Sequence, residues 1–411
     1  IALPIIMVHT AFVRKFLSSS RCTRYWPIVK KALTYLICNG PYSQQDRWEE
    51  ESGYTPFTLA AQIAGLLAGA ELADIHGEKK LGIYCREVAD YWNENIERWL
   101  YVSDTDSAKE SGVEGYYMRI NPYNLPADEV KDKTINLKNH EGDEGKIRLG
   151  DIICVDALAL VRFGLRAADD PHILNTVKVI DAKLKIETPS GPCWYRYTKD
   201  GYGENREGQP YIYNGIGRPW PLLTGERAHY EIAAGNLTQA ISLLKTMEGF
   251  SENALLPEQI WDQKDIPEKG LIFGKHSGSA MPLTWAHAEY LKLCSSIKQK
   301  KVADMIYLTR DRYVVNKISS LFCVWRFTDQ VKAMPVGKIL RIEVLEDAVV
   351  RWTNDDWQSY QEIETRDTGL GIKLVDVAFK NKDSEKILFT FFWKKTKNWE
   401  GANFEIKLIK E

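Results

Sequence analysis

The 411-residue sequence lacks most of the signatures that assign a chain quickly. Its seven cysteines include no C-x-x-C pair, and Cys22, Cys38, Cys85, Cys154, Cys193, Cys294 and Cys323 sit mostly in apolar helical context. That pattern reads as buried free thiols rather than a disulfide framework or a zinc site. The seven histidines are scattered without an H-E-x-x-H, which removes the zinc-protease reading. Gly201-Tyr202-Gly203 and Gly215-Ile216-Gly217 fail to continue as G-x-G-x-x-G, so a dinucleotide fingerprint is missing too. Charge of one sign is also absent: 54 Lys plus Arg stand against 56 Asp plus Glu, a net −2. That balance supplies neither a basic face for nucleic acid nor a polyanionic tail. No apolar run approaches the ~18 residues that cross a bilayer. Neither nucleic acid nor membrane is expected as a partner. The opening Ile1-Ala2-Leu3-Pro4-Ile5-Ile6-Met7-Val8 has neither the basic start nor the small-residue cleavage site of a signal peptide. It reads as the inside of a helix running through Phe16, as in a fragment of a longer protein.

What the sequence has in quantity is rings: 13 Trp, 20 Tyr and 13 Phe. Aromatics are core residues first, but their flat apolar faces and polar edges also suit sugars. The apolar share of 44% and charged share of 27% are ordinary for a globular chain, and the length suggests two or three domains.

Residues 1 to about 300 read as helices in antiparallel pairs. After the opening helix, one is expected over Thr23–Cys38 with Pro27 in its first turn. Others follow over Phe57–Ile75, Glu78–Leu100, 151–166, 171–185, 218–234, 237–248 and 282–297, making nine. Small residues Ala61, Ala64, Gly65 and Ala68 predict close approach of a neighbouring helix. Short links alternate with long ones at 40–56, 101–150, 186–217 and 249–281, and long loops in compact domains are usually functional. A toroid of helical hairpins would gather such loops on one face; an irregular helical solenoid is the alternative. After about residue 318 the period changes to two. Leu340, Ile342 and Val344 alternate with Ile339, Arg341 and Glu343, and Phe389, Phe391 and Trp393 alternate with Leu388, Thr390 and Phe392. Turn clusters Asn354-Asp355-Asp356 and Lys380-Asn381-Lys382-Asp383 separate the runs. This predicts an antiparallel β-sandwich of about 90 residues.

The long loops set carboxylates beside rings, as in Asp46-Arg47-Trp48-Glu49-Glu50-Glu51-Ser52-Gly53-Tyr54 and Leu256-Pro257-Glu258-Gln259-Ile260-Trp261-Asp262. Acetal hydrolysis needs one carboxylic acid to protonate the leaving oxygen and a second carboxylate to activate water. Glu49 beside Trp48 has the kind of setting that raises a carboxyl pKa when it is desolvated. From spacing alone, a solvated acidic surface is the plainer reading.

Four ordered blocks change that weighting. They are Asp46–Tyr54, Arg218-Pro219-Trp220-Pro221-Leu222-Leu223-Thr224-Gly225-Glu226-Arg227, Pro257-Glu258-Gln259-Ile260-Trp261-Asp262, and Pro282-Leu283-Thr284-Trp285-Ala286-His287-Ala288-Glu289-Tyr290. Together they resemble the signature blocks of the glucoamylase family, glycoside hydrolase family fifteen, and most of all its bacterial and archaeal branch with the glucodextranases. The resemblance implies a mainly α fold, an (α/α)6 toroid over 1–318 with its first helices missing. The module at 319–411, with Trp352, Asp356-Trp357 and Thr368-Gly369-Leu370-Gly371, resembles the β-domain after the barrel in glucodextranase-like enzymes.

Residue by residue, the resemblance implies Glu49 as general acid and Glu258 as general base. Glu50 matches a carboxylate that contacts sugar hydroxyls, with Asp46 and Trp48 in support, and Arg196 matches a substrate-binding arginine. Trp220 and Trp285 stand at helix starts near the pocket, where a core role is the alternative. His287 reads as a satisfied core histidine, and Glu289 carries no role. No metal and no cofactor are expected. The implied activity is inverting, exo-acting α-glucoside hydrolysis that releases β-glucose from α-glucans or oligosaccharides. An α,α-trehalase, an α-1,6-glucodextranase or a non-catalytic carbohydrate-binding remnant are the alternatives. The family's Trp-x-Arg-Asp segment does not occur in the sequence, so the missing N-terminal part of the barrel is a further expected partner of an otherwise monomeric chain. The family analogy points outside the cell, whereas unpaired cysteines fit a reducing compartment.

Overall fold

The computed structural model describes residues 1–378 and 384–410, which leaves the predicted turn Lys380-Asn381-Lys382-Asp383 outside. The chain forms two compact units. One comprises Ile1–Pro41, Gln62–Glu94 and Ile318–Glu411; the other comprises Tyr42–Ala61 and Asn95–Lys317.

In the first unit, the helices Ala2–Val13 and Ser19–Asn39 meet the small-residue face of Pro56–Ile75. A Cβ on Gly65 would come within 3.0 Å of Ala2, and one on Gly69 within 2.5 Å of Leu33. The close helix approach expected from the small residues is thus present. Pro56–Ile75 is, among the described residues, the helix long and apolar enough to cross a bilayer, which corrects the reading that no such run exists. It is nevertheless a core helix, with 83% of that stretch buried. The second helix starts four residues earlier than expected, so Pro27 lies inside it; Pro27 is exposed, where water can serve the carbonyl it leaves unpaired.

The strands after residue 318 form two sheets. One runs Gln361–Glu364, Ala348–Thr353, Lys386–Trp393, Phe404–Ile409, Ala333–Pro335, with Asn398–Trp399 added to Lys386–Trp393. The other runs Arg366–Asp367, Lys373–Val377, Ile339–Val344, Phe322–Arg326. Trp325, Leu340, Ile342, Val350, Trp352, Phe389, Phe391 and Ile406 fill the core between them. Two pairings are parallel, Phe322–Arg326 with Ile339–Val344 and Phe404–Ile409 with Ala333–Pro335. The first becomes possible because about a dozen residues connect its strands, enough for a crossover. Ile339–Val344 is buried on both faces: Leu340 and Ile342 face the core, while Arg341 pairs with Glu87 at 2.7 Å and Glu343 accepts from the Tyr84 hydroxyl at 2.9 Å. All seven cysteines are free; Cys38 is exposed, Cys294 is half-buried and the rest are buried.

The second unit holds the helices Pro171–Lys183, Pro221–Ala233, Leu237–Gly249 and Thr284–Gln299 close to their expected spans. Asp170 caps the first, accepting from the His172 N–H at 2.9 Å, with Pro171 at its first position. Two expectations fail. Glu78–Leu100 breaks at Asn95 into Lys79–Glu94 and Ile96–Leu100. The helix expected over 151–166 shrinks to Leu158–Arg162 after two single turns of 3₁₀ helix. Its first half is drawn into extended bridges, Met118 with Ile153 and Cys154 with Tyr197. Those bridges outweigh helix propensity and deliver Asp156 to the site described next.

Candidate active site

The loop that follows Tyr42 is closed at its neck by Ser43 and Gly53, which exchange backbone hydrogen bonds of 3.0 and 2.9 Å. Gly53 lies so near the Asn121 carbonyl that a Cβ would come within 2.7 Å, at φ 157°. Only glycine fits there. Inside the loop, the Asp46 carboxylate accepts from the Trp48 and Glu50 backbone N–H groups, both at 3.1 Å. That side-chain turn fixes a tight bend in which Glu49 takes φ 62°. A non-glycine residue held in the left-handed region is a feature that surrounding structure must impose.

Beneath the bend, charges are paired in depth. Arg47 holds Glu226 with two bonds, 2.7 and 3.0 Å, and Asp156 at 2.9 Å. Its guanidinium lies 4.4 Å from the Trp48 ring and 4.7 Å from Phe57. Burial pushes the Asp156 carboxyl up to about 6, against the pull of Arg47 and with help from Asp46 and Glu226. A second buried arginine, Arg119, bonds Asp46 at 2.5 Å, Glu50 at 2.8 Å and Glu51 at 3.2 Å through one nitrogen. These three carboxylates offer oxygens within 4.8 Å of one another, a spacing suited to a metal ion. The guanidinium nitrogen already bonds to all three, so the cluster has its cation.

Four long loops meet here. Glu50, from the first, accepts from Asn139 at 3.1 Å, from Arg196 at 2.9 Å and from the Tyr197 hydroxyl at 2.5 Å. Burial raises the Glu50 carboxyl above its ordinary value, while Arg196 and Arg119 oppose that rise. Arg196 is itself gripped by Asp200 at 2.6 and 2.7 Å, and its guanidinium lies 4.9 Å from the Trp48 ring, 5.0 Å from Tyr202 and 5.5 Å from Trp220. From the fourth loop, Glu258 reaches the same cluster. Its carboxylate faces the Tyr202 hydroxyl at 3.5 Å and the Ala280 backbone N–H at 3.3 Å, and Gln259 donates to the Tyr202 carbonyl at 2.8 Å. Burial raises the Glu258 carboxyl, and the Ala280 backbone N–H, Arg196 and Tyr202 offset part of the rise.

Asp46, Trp48, Glu50, Arg196, Trp220 and Trp285 therefore form one connected cluster. Trp48 meets Trp220 at 5.2 Å and Trp285 at 5.5 Å between ring centroids. Glu258 joins it through Tyr202. Glu49 sits at its edge, exposed, with a carboxylate that makes no hydrogen bond or ion pair among the described residues. The desolvated setting expected beside Trp48 belongs to its neighbour Glu50 instead. His287 accepts from the Leu256 N–H at 3.1 Å, a structural tie, and Glu289 is fully buried against Arg162, Lys292 and His229. Sequence reasoning missed Arg119, Asn139, Tyr197, Tyr202 and Asp156. Tyr116-Tyr117-Met118-Arg119 sets an arginine beside rings in a long loop, as Tyr195-Arg196-Tyr197 does, and that pattern could have pointed to it.

Comparison with known proteins shows which family the chain resembles. Residues 1–295 match the profile of glycosyl hydrolases family 15. A glucoamylase from Clostridium sp. (strain G0005) is 41% identical over 291 residues, 71% of this chain and 38% of that protein. The crystal structure of a bacterial glucoamylase complexed with acarbose aligns at a TM-score of 0.65 and 38% identity, over 76% of this chain and 42% of that one. The chain belongs to glycosyl hydrolases family 15, and with that comes the mainly α, (α/α)6 class expected from its motifs, followed by a β-rich C-terminal region. It spans about two-fifths of the length of these relatives.

Proposed function

We propose that this chain carries the catalytic carboxylates of an inverting, exo-acting α-glucoside hydrolase that frees β-glucose from the non-reducing ends of α-glucans. The observation that carries the reading is the joining of Glu258 to the Trp48–Arg196 cluster through Tyr202. It sets a carboxylate of raised pKa and the Glu49 bend on one ring-lined site. A base whose pKa moves up toward the working pH takes a proton from water more readily. Glu258 aims and deprotonates that water, and Glu49 protonates the departing glycosidic oxygen. Exposure suits Glu49, which must collect a fresh proton each cycle. Glu50, placed by Arg119, Arg196 and Tyr197, accepts from sugar hydroxyls, and the Trp48 and Trp220 rings face C–H surfaces. Room for water requires the Glu49 and Glu258 carboxyls about 6.5–9.5 Å apart when substrate is bound.

The roles separate on leaving-group quality, since a good leaving group needs little acid assistance. In the intact enzyme, Glu49→Gln should lose maltose hydrolysis on the order of 10²-fold or more yet keep substantial turnover of α-glucosyl fluoride. Glu258→Gln should lose both. NMR of the first product should show the β anomer; α-glucose, or equal losses on the fluoride, would overturn the assignment.

A further inference from the structure

An aromatic run leaves the site toward solvent. Tyr202, beside Glu258, meets Tyr211 edge-on with ring centroids 5.2 Å apart, and Tyr211 meets Tyr213 at 5.3 Å. Tyr211 is half-buried and its hydroxyl donates to the Asn139 carbonyl at 3.1 Å. Tyr213 is 60% exposed and Ile212 69%. The segment is fixed at its base. Gly215 is pressed against the Gly203 carbonyl, where a Cβ would lie 1.9 Å from the oxygen, and Gly217 donates to the Asp200 carbonyl at 2.7 Å. Tyr213 takes φ 68°, a left-handed conformation that a bulky side chain keeps only where the surrounding structure imposes it. Tyr213 thus holds an exposed ring beside the exposed Ile212 at the end of the aromatic run, where a ligand can reach both.

We propose that Tyr213, with Ile212 beside it, is the platform for the leaving chain: the third sugar of an α-glucan and those beyond it, counted from the non-reducing end. This rests on the exo-acting reading above. If one glucose is cut from the end, the remaining polymer has to run out of the site, and the tyrosine run that begins beside Glu258 offers it rings on the way to solvent. Tyr213 and Ile212 carry no charge, which suits a neutral chain that presents C–H faces to rings and hydroxyls to water. Tyr213 binds substrate that has already filled the cleavage site, so it alters chain-length preference and leaves the chemical step alone.

The test compares maltose, which is too short to reach Tyr213, with maltoheptaose. Tyr213→Ala should lower kcat/KM on maltoheptaose about five- to tenfold, mostly through KM, and leave maltose within about twofold. Tyr213→Phe keeps the ring face and should behave as wild type on both, and Ile212→Ser should shift the ratio in the same direction by less. Equal losses on both substrates, or none on maltoheptaose, would overturn the platform. A wild-type enzyme that cleaves neither sugar would instead sink the proposed function, and the platform with it.

Discussion

Two fully buried arginines, one in each unit, show two ways in which this chain pairs buried charge. Arg341, in the first unit, spreads its donors: Nε and Nη2 hold Asp376 at 2.7 and 3.0 Å, Nη1 holds Glu87 at 2.7 Å, and its face lies 3.6 Å from the Phe322 ring. Arg119, in the second unit, sends a single nitrogen to three carboxylates, while its Nε and Nη1 stay buried without a hydrogen-bond partner among the described residues. The Nε1 groups of Trp48 and Trp220 are unpartnered as well. Arg341 is satisfied by the fold, whereas Arg119, set among the loop carboxylates, is partly unsatisfied, the kind of local inconsistency that is usual at functional sites.

Breaking each arginine is the strongest test of that contrast. Arg119→Met would leave Asp46, Glu50 and Glu51 crowded without their cation. It should cost about 3–5 kcal/mol of stability and, in whatever folds, at least about 10²-fold in kcat/KM through misplacement of the loop. Arg341→Met should cost a similar amount of stability, read by denaturant unfolding, with turnover per folded molecule unchanged. Equal catalytic losses in the two variants would erase the distinction.

The same contrast predicts opposite pH trends. Asp156 is raised by burial from its ordinary 3.8 to about 6. The stability it contributes is full below pH 3.8 and lost as pH rises through about 6. Asp376 is lowered: burial alone would raise it, but Arg341 and Arg366 more than offset that. Its contribution is present above 3.8 and lost as pH falls through the lowered value. Relative to wild type, Asp156→Asn should therefore gain stability between pH 4 and 6, by up to about 3 kcal/mol. Asp376→Asn should look worst near neutrality and recover in acid. Tm measured from pH 3 to 7 on both variants decides, and parallel curves would contradict the assignment.

The smallest expected effect sharpens the site itself. Tyr202→Phe removes the hydroxyl that offsets part of the rise at Glu258, so the carboxyl should climb further. The acid limb of kcat/KM should move to higher pH, with a loss at the optimum of less than about tenfold. An acid limb moved downward would show that the hydroxyl does not stabilise the Glu258 carboxylate.

Much of this protein was legible before any coordinates. Apolar spacing and stop signals located most of the helices, since Asp170-Pro171 or Gly77 act on neighbours within a turn or two. The change of period after residue 318 announced strands, because alternation follows from the pleat alone. Four ordered blocks named the family. Other features needed the folded chain. The expected helix over 151–166 gave way because Met118 and Tyr197, distant in sequence, claim its backbone. Residues 69 apart in sequence make the bond between Arg119 and Glu50, and residues 179 apart make the bond between Arg47 and Glu226. Propensity and periodicity are short-range quantities, so they set which residues form helices and strands and which loops are long. Which carboxylate meets which guanidinium, and that Glu50 rather than Glu49 is the one desolvated, was decided only when four loops closed on one another and excluded water.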